Sequence, residues 1–184
     1  MMIELVRIHA HLCGDGFMFF GESSERDRKH SATVGYSNNN YCLIEKFRDD
    51  FNAVFKVQMK LRKNRKEVTV RSIRIYKELL KLFGELSSFK WRIPIEIKNL
   101  DTHSKMEWLK SFFEDEAYHE KKYNRLKTKS MNLGGLKDIK EILDSLEINS
   151  VITGPNCDKS YYITIPRFDN IDLFKDFKKQ PARK

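Results

Sequence analysis

The strongest constraint in this sequence is an order of elements that occurs twice. Each time, a stretch with helical spacing ends in an acidic residue, a small residue follows, and the chain enters a strand at once. The first occurrence is "IHAHLCGDG", residues 8 to 16, and the second is "LKSFFEDEA", residues 109 to 117. Their acids, Asp15 and Glu116, stand 101 residues apart. Ahead of the first, Ile3, Val6, Ala10 and Cys13 recur at helical spacing. Taken alone, Gly14-Asp15-Gly16 reads as a turn, because Asp-Gly favours turns and glycine commonly follows a helix.

The pattern around each acid extends the repeat. After the helix at 2–13 come a strand at 16–22, a charged loop at 23–30 and a strand at 31–37. An Asn-marked helix at 38–55 buries Leu43, Phe47, Phe51 and Val54. Val57, Met59 and Leu61 then alternate with Lys56, Gln58, Lys60 and Arg62, as in a half-buried strand. A hairpin tip at 63–66, a return strand with Val68 and Val70, and a helix at 76–86 close the first half. Residues 87–103 contain Pro94 and read as a linker. Ser104, with Glu107 three residues on, forms a capping box that opens a helix over 104–118. Met106, Leu109, Phe112 and Phe113 form its apolar stripe. Strands at 117–122 and 124–130, a helix at 135–148, strands at 150–155 and 160–166, and a short helix at 170–177 complete the repeat. The expected fold is therefore α+β, with αββαββα halves over 1–90 and 91–184. The period is far longer than that of a solenoid repeat and points to a duplicated half-domain.

Composition narrows the class of function. Lys and Arg number 35 against 26 Asp and Glu, a net charge of +9, the footprint of a protein that meets nucleic acid or another polyanion. The three cysteines, Cys13, Cys42 and Cys157, form neither a zinc framework nor a disulfide scaffold. His9 and Cys13 could share a helix face, but two ligands do not make a zinc site. No apolar run is long enough to span a membrane, and the N-terminus does not read as a signal peptide, so a cytoplasmic protein is expected. Phosphate-binding-loop, zinc-protease and nucleophile-elbow motifs are absent from the sequence.

With both helix ends and the duplicated order in view, the sequence resembles the LAGLIDADG homing endonuclease family, in its single-chain, two-motif form. Asp15 and Glu116 fall on the eighth position of the nine-residue motif, where the family carries a metal-binding acid. The resemblance implies pseudo-two-fold symmetry, with the motif helices side by side and two antiparallel sheets shaped as a saddle over DNA. Ala10 and Gly14 supply small residues for close packing, whereas Asp115 and Ala117 depart from the family pattern.

The resemblance also implies a site. Asp15 and Glu116 would hold Mg²⁺ or Mn²⁺, with Gly14 and Asp115 beside them. Helix C-termini add carbonyl oxygens and partial negative charge, and oxygen-rich surroundings suit Mg²⁺. Lys129, near the strand-to-helix junction "KSMNL", would polarise the scissile phosphate, and Arg74 holds a roughly similar place in the first half. For contact with double-stranded DNA the candidates are Lys56, Gln58, Lys60 and Arg62 on one strand, Arg125 and Lys127 on another, and Arg26, Arg28 and Lys29 in a loop. The expected function is site-specific, metal-dependent double-strand cleavage by a monomer. The alternatives are a non-cleaving protein on the same fold, either an RNA maturase or a DNA-binding regulator, and an unrelated basic α+β protein.

Overall fold

The structure, a computed structural model, describes residues 1–22, 30–62 and 66–167. The chain divides into two compact units, Met1–Ser87 and Ser88–Lys184.

The first unit runs α1 (Ile3–Cys13), β1 (Gly16–Glu22), β2 (His30–Ser37), α2 (Tyr41–Phe55), β3 (Lys60–Leu61), β4 (Glu67–Arg71) and α3 (Ile73–Phe83). Its strands form one antiparallel sheet in the order β1-β2-β4-β3. Residues that commonly cap start α2 and α3. The Asn40 side chain accepts from the Cys42 N–H, and the Ser72 hydroxyl accepts from the Ile75 N–H. The second cap begins α3 three residues earlier than the periodicity suggests. An aromatic column fills the core: Tyr36 stacks on Phe47 with centroids 4.7 Å apart, and Phe51 and Phe55 continue it along α2. Arg7 binds Asp50 bidentately, at 2.8 and 2.6 Å, and ties α1 to α2.

The second unit repeats this topology behind an added segment. It runs α4 (Ile95–Lys98), α5 (Thr102–Glu116), β5 (Ala117–Glu120), β6 (Arg125–Ser130), α6 (Leu133–Ser145), β7 (Val151–Thr153) and β8 (Tyr161–Pro166). Its sheet order, β5-β6-β8-β7, matches the first strand for strand. Trp108 stacks on Phe112 with centroids 5.3 Å apart, and Leu126, Leu136, Ile139, Ile142 and Ile163 complete the core.

Three expectations are corrected here. Residues 87–103 are not a plain linker, because Trp91, Ile93 and Ile97 are buried in the second core. Trp91 lies against Gly135 of α6, where a Cβ would come within 2.3 Å of its ring. Asp138 fastens the same segment, accepting from the Arg92 and Lys98 side chains and from the Ile93 N–H. The cap of α5 is Asp101, whose carboxylate accepts from the Ser104 N–H and hydroxyl, so Ser104 is the capped residue and no capping box opens there. Lys56 is not on a strand. It caps α2 in the left-handed conformation at φ 54°, and its ammonium donates to the Ala53 carbonyl. The helix expected at 170–177 lies outside the described residues.

Candidate functional site

Each unit carries an acid where its opening helix meets its first strand. In the first, α1 ends at Cys13, Gly14 closes it by donating to the Ala10 carbonyl, and Asp15 stands in the two-residue turn before β1. Gly16 is required by space rather than by backbone freedom. A Cβ there would lie 2.5 Å from the Leu12 Cα and 2.9 Å from the His11 carbonyl oxygen. Asn38 is a contributor that sequence reading missed. Its Nδ2 donates to the Asp15 carboxylate at 2.8 Å, while its Oδ1 accepts from the Asn40 N–H and so fixes the amide's orientation. The triple Asn at 38–40 was legible as a helix start; its first member also serves the acid.

In the second unit there is no turn. Glu116 is the last residue of α5, and Ala117 goes straight into extended backbone at φ −90°, ψ 150°. Asp115 is buried, whereas Gly14, its counterpart one residue before the acid, is half-buried. Both acids are half-buried at the partly negative end of a helix. These donors are carboxylates and carbonyls, a hard-oxygen set that fits Mg²⁺ or Mn²⁺, which retain waters and take few protein ligands. Among the described residues no three His, Cys, Asp or Glu side chains gather as a ready metal cluster. The His9 ring and the Cys13 sulfur do meet, at 3.6 Å, buried, with the ring against Phe83.

Strand register assigns the basic residues to faces. In the first sheet Lys60 pairs with Thr69, and Arg71 pairs with Thr33. These four, with Gln58 and Arg62, line an open groove of about 690 Å³. The expected alternation therefore holds for Gln58, Lys60 and Arg62 and fails for Lys56. Thr33, Thr69 and Arg71 join the face through pairings that no local pattern reveals. Arg62 is paired with Glu67 at 2.8 Å. Arg26, Arg28 and Lys29 lie outside the described residues.

In the second sheet Arg125, Lys127 and Lys129 do share a face, opposite buried Leu126 and Thr128. All three are engaged by acids of their own unit. Arg125 binds Glu120 at 2.5 Å, Lys127 lies 3.8 Å from the same carboxylate and over the Tyr162 ring, and Lys129 binds Asp158 at 2.5 Å. The Arg125 guanidinium holds the Glu120 carboxyl below its ordinary range. Hydrogen bonds from Lys129 and then Ser160 hold Asp158 far below its own, and Asp158 in turn raises the Lys129 ammonium. Lys129 sits one residue past Thr128, which pairs with Ala117. The matching position in the first unit, one past Tyr36, which pairs with Gly16, is Ser37. Arg74 is not equivalent: it lies in the first turn of α3, after the fourth strand rather than the second.

No protein-family model matches the sequence, and no curated protein matches it. Solved structures do. The homing endonuclease I-DmoI in complex with DNA and Mn superposes with a TM-score of 0.68, at 15% identity, over 98% of each chain. The homing endonuclease I-WcaI bound to its DNA recognition sequence gives 0.55 at 17% identity, over 95% of this chain and 79% of its own. The N-terminal LAGLIDADG domain of DUF199/WhiA gives 0.54 at 11% identity, over 98% of this chain and 86% of its own. At such identities the likeness is one of fold.

Proposed function

We propose that this chain, which has the fold of the LAGLIDADG homing endonucleases, is a site-specific, metal-dependent endonuclease acting on double-stranded DNA as a monomer. The observation that carries the reading is positional. Two units of identical strand order each open with a helix, and each helix delivers one carboxylate, Asp15 or Glu116, to the junction with its first strand.

Asp15 and Glu116 would each hold Mg²⁺ or Mn²⁺, aided by the carbonyls at their helix ends, with Gly14 and Asp115 beside them. When bound, the metal activates water and stabilises charge on the leaving oxygen of a phosphodiester. Asn38 would keep Asp15 aimed by donating to its carboxylate. Lys129 would exchange the Asp158 carboxylate for a DNA phosphate and draw negative charge from it. Gln58 and Arg71 would read base edges, while Lys60, Arg62, Arg125 and Lys127 would contact phosphate or guanine. Arg26, Arg28 and Lys29 would reach flanking backbone.

The alternative, nucleic-acid binding without cleavage, draws on the second unit, where Glu120 and Asp158 already occupy the cations. The test is selection of a bound duplex from a random library, followed by incubation with Mg²⁺, Mn²⁺ or EDTA. Breaks in both strands that need metal are the expected result. Tight binding with no break under any condition would select the alternative.

A further inference from the structure

We infer that Phe17 and Phe19 on β1 form an aromatic reader of thymine methyl groups on the outer face of the first sheet. The inference rests on the duplex-DNA reading above and names what one part of that surface recognises.

Residues directly opposite in a sheet share a face. Phe17 pairs with Gly35, Gly35 with Thr69, and Thr69 with Lys60. Phe19 pairs with Thr33, and Thr33 with Arg71. Two rows thus cross the sheet, each running from a phenyl ring on the edge strand to a cation. At the usual strand spacing Phe19 lies about 10 Å from Arg71, and Phe17 about 14 Å from Lys60. A major groove is about 12 Å wide, so one groove can meet both ends of the Phe19–Arg71 row.

Glycines seat both rings. A Cβ on Gly35 would lie 2.2 Å from Cζ of Phe17, and one on Gly21 would lie 2.7 Å from Cε1 of Phe19. Covering a strand glycine is a structural use for a ring, and it accounts for the half-buried Phe17. It does not account for Phe19, which stays 61% exposed. A lone exposed phenylalanine is ordinary. This one stands beside a second ring, on a face that also carries Lys60, Arg71 and Gln58, in a chain of net charge +9. The cations select a polyanion. Among the groups a base pair presents in the major groove, the thymine C5-methyl is the apolar one that a ring can cover.

The test uses the full chain and a duplex it selects from a random library, with thymidine replaced by deoxyuridine one position at a time. The change removes only the methyl. At one or two positions it should weaken binding about fourfold, the value of one buried carbon. Phe19→Ser should bind the two duplexes equally at one of those positions. Lys60→Gln should weaken both alike. Phe19 is on the surface, and an unchanged circular dichroism spectrum would certify the variant's fold. Indifference to uracil at every position, or a thymine preference that survives Phe19→Ser, would overturn the reader. So would an unpaired oligonucleotide that binds more tightly than the duplex and is weakened by Phe19→Ser, which marks a stacking platform instead. Failure to select any duplex would overturn the duplex reading itself.

Discussion

The two units share a topology and differ at nearly every point where it is put to use. In the first, the acid stands in a turn and an asparagine holds it; in the second, it ends a helix that becomes a strand without a turn. In the first sheet Arg62 is paired with Glu67 at the rim of a groove that also holds Lys60 and Arg71; in the second, Glu120 and Asp158 engage Arg125, Lys127 and Lys129. Each unit also fastens its second long helix through a buried carboxylate, but to different neighbours. Asp50 takes Arg7 of α1, whereas Asp138 takes Arg92, Ile93 and Lys98 in the segment ahead of α5. The lesson is that the position of the acid is shared while its local support is not. Letter-by-letter likeness between the two motifs is therefore low even though the element order is the same.

The largest effect should come from forcing one junction to resemble the other. Gly16→Ala places a Cβ against the Leu12 backbone and should cost about 3 kcal/mol. The reverse exchange in the second unit, Ala117→Gly, meets no such requirement and should cost about 1 kcal/mol or less. Urea unfolding of both variants measures the difference, and equal costs would break the contrast between the junctions.

Next is the carboxylate clamp of the second unit. Asp138 is fully buried, and Asp138→Ala should cost about 2 kcal/mol, because the buried Ile93 N–H loses its acceptor while Arg92 turns to solvent and Lys98 keeps Glu141. Burial pushes this carboxyl up, but hydrogen bonds from Arg92, Lys98 and the Ile93 N–H outweigh it and hold the group below its ordinary value. Its contribution is then complete above about pH 4 and is lost as pH falls through the lower folded-state value. An acid titration of stability should show a steeper loss for wild type than for Asp138→Ala over that window.

The smallest effect sharpens the contrast between sheet faces. Asp158→Asn releases Lys129 from its acid. Affinity for duplex DNA should rise a fewfold, because Lys129 no longer gives up a carboxylate to reach a phosphate, while the log–log salt slope stays that of wild type. Titrations at several salt concentrations measure both, and an unchanged affinity would mean that Lys129 never reaches a phosphate.

Much of this was legible in the sequence, and what was not divides between helix ends and pairings of distant residues. The alternation of Gln58, Met59, Lys60, Leu61 and Arg62 exposes the face it predicts, because period two is a local property. Lys56 broke the pattern because α2 ends on it in a left-handed cap. The Ser104–Glu107 signature matched a capping box, yet Asp101 took the cap three residues earlier. Trp91 was read as linker because its partner, Gly135, lies far along the chain. Asn38 was missed for the same reason: its bond to Asp15 spans a hairpin. Periodicity gives elements and faces, while pairing between distant residues decides what supports the acids.

The central claim is that Asp15 and Glu116 serve cleavage and not binding. It is tested most directly by single-turnover rates on a selected duplex, with affinity measured in parallel, for Asp15→Asn, Glu116→Gln and the double variant. Each single change keeps shape and removes charge. It should slow metal-dependent cleavage by about a hundredfold or more, with affinity unchanged or raised, because negative charge near phosphates is removed. The double variant should bind and not cut. Wild-type rates in both single variants would contradict the account and leave the two acids as ordinary helix ends.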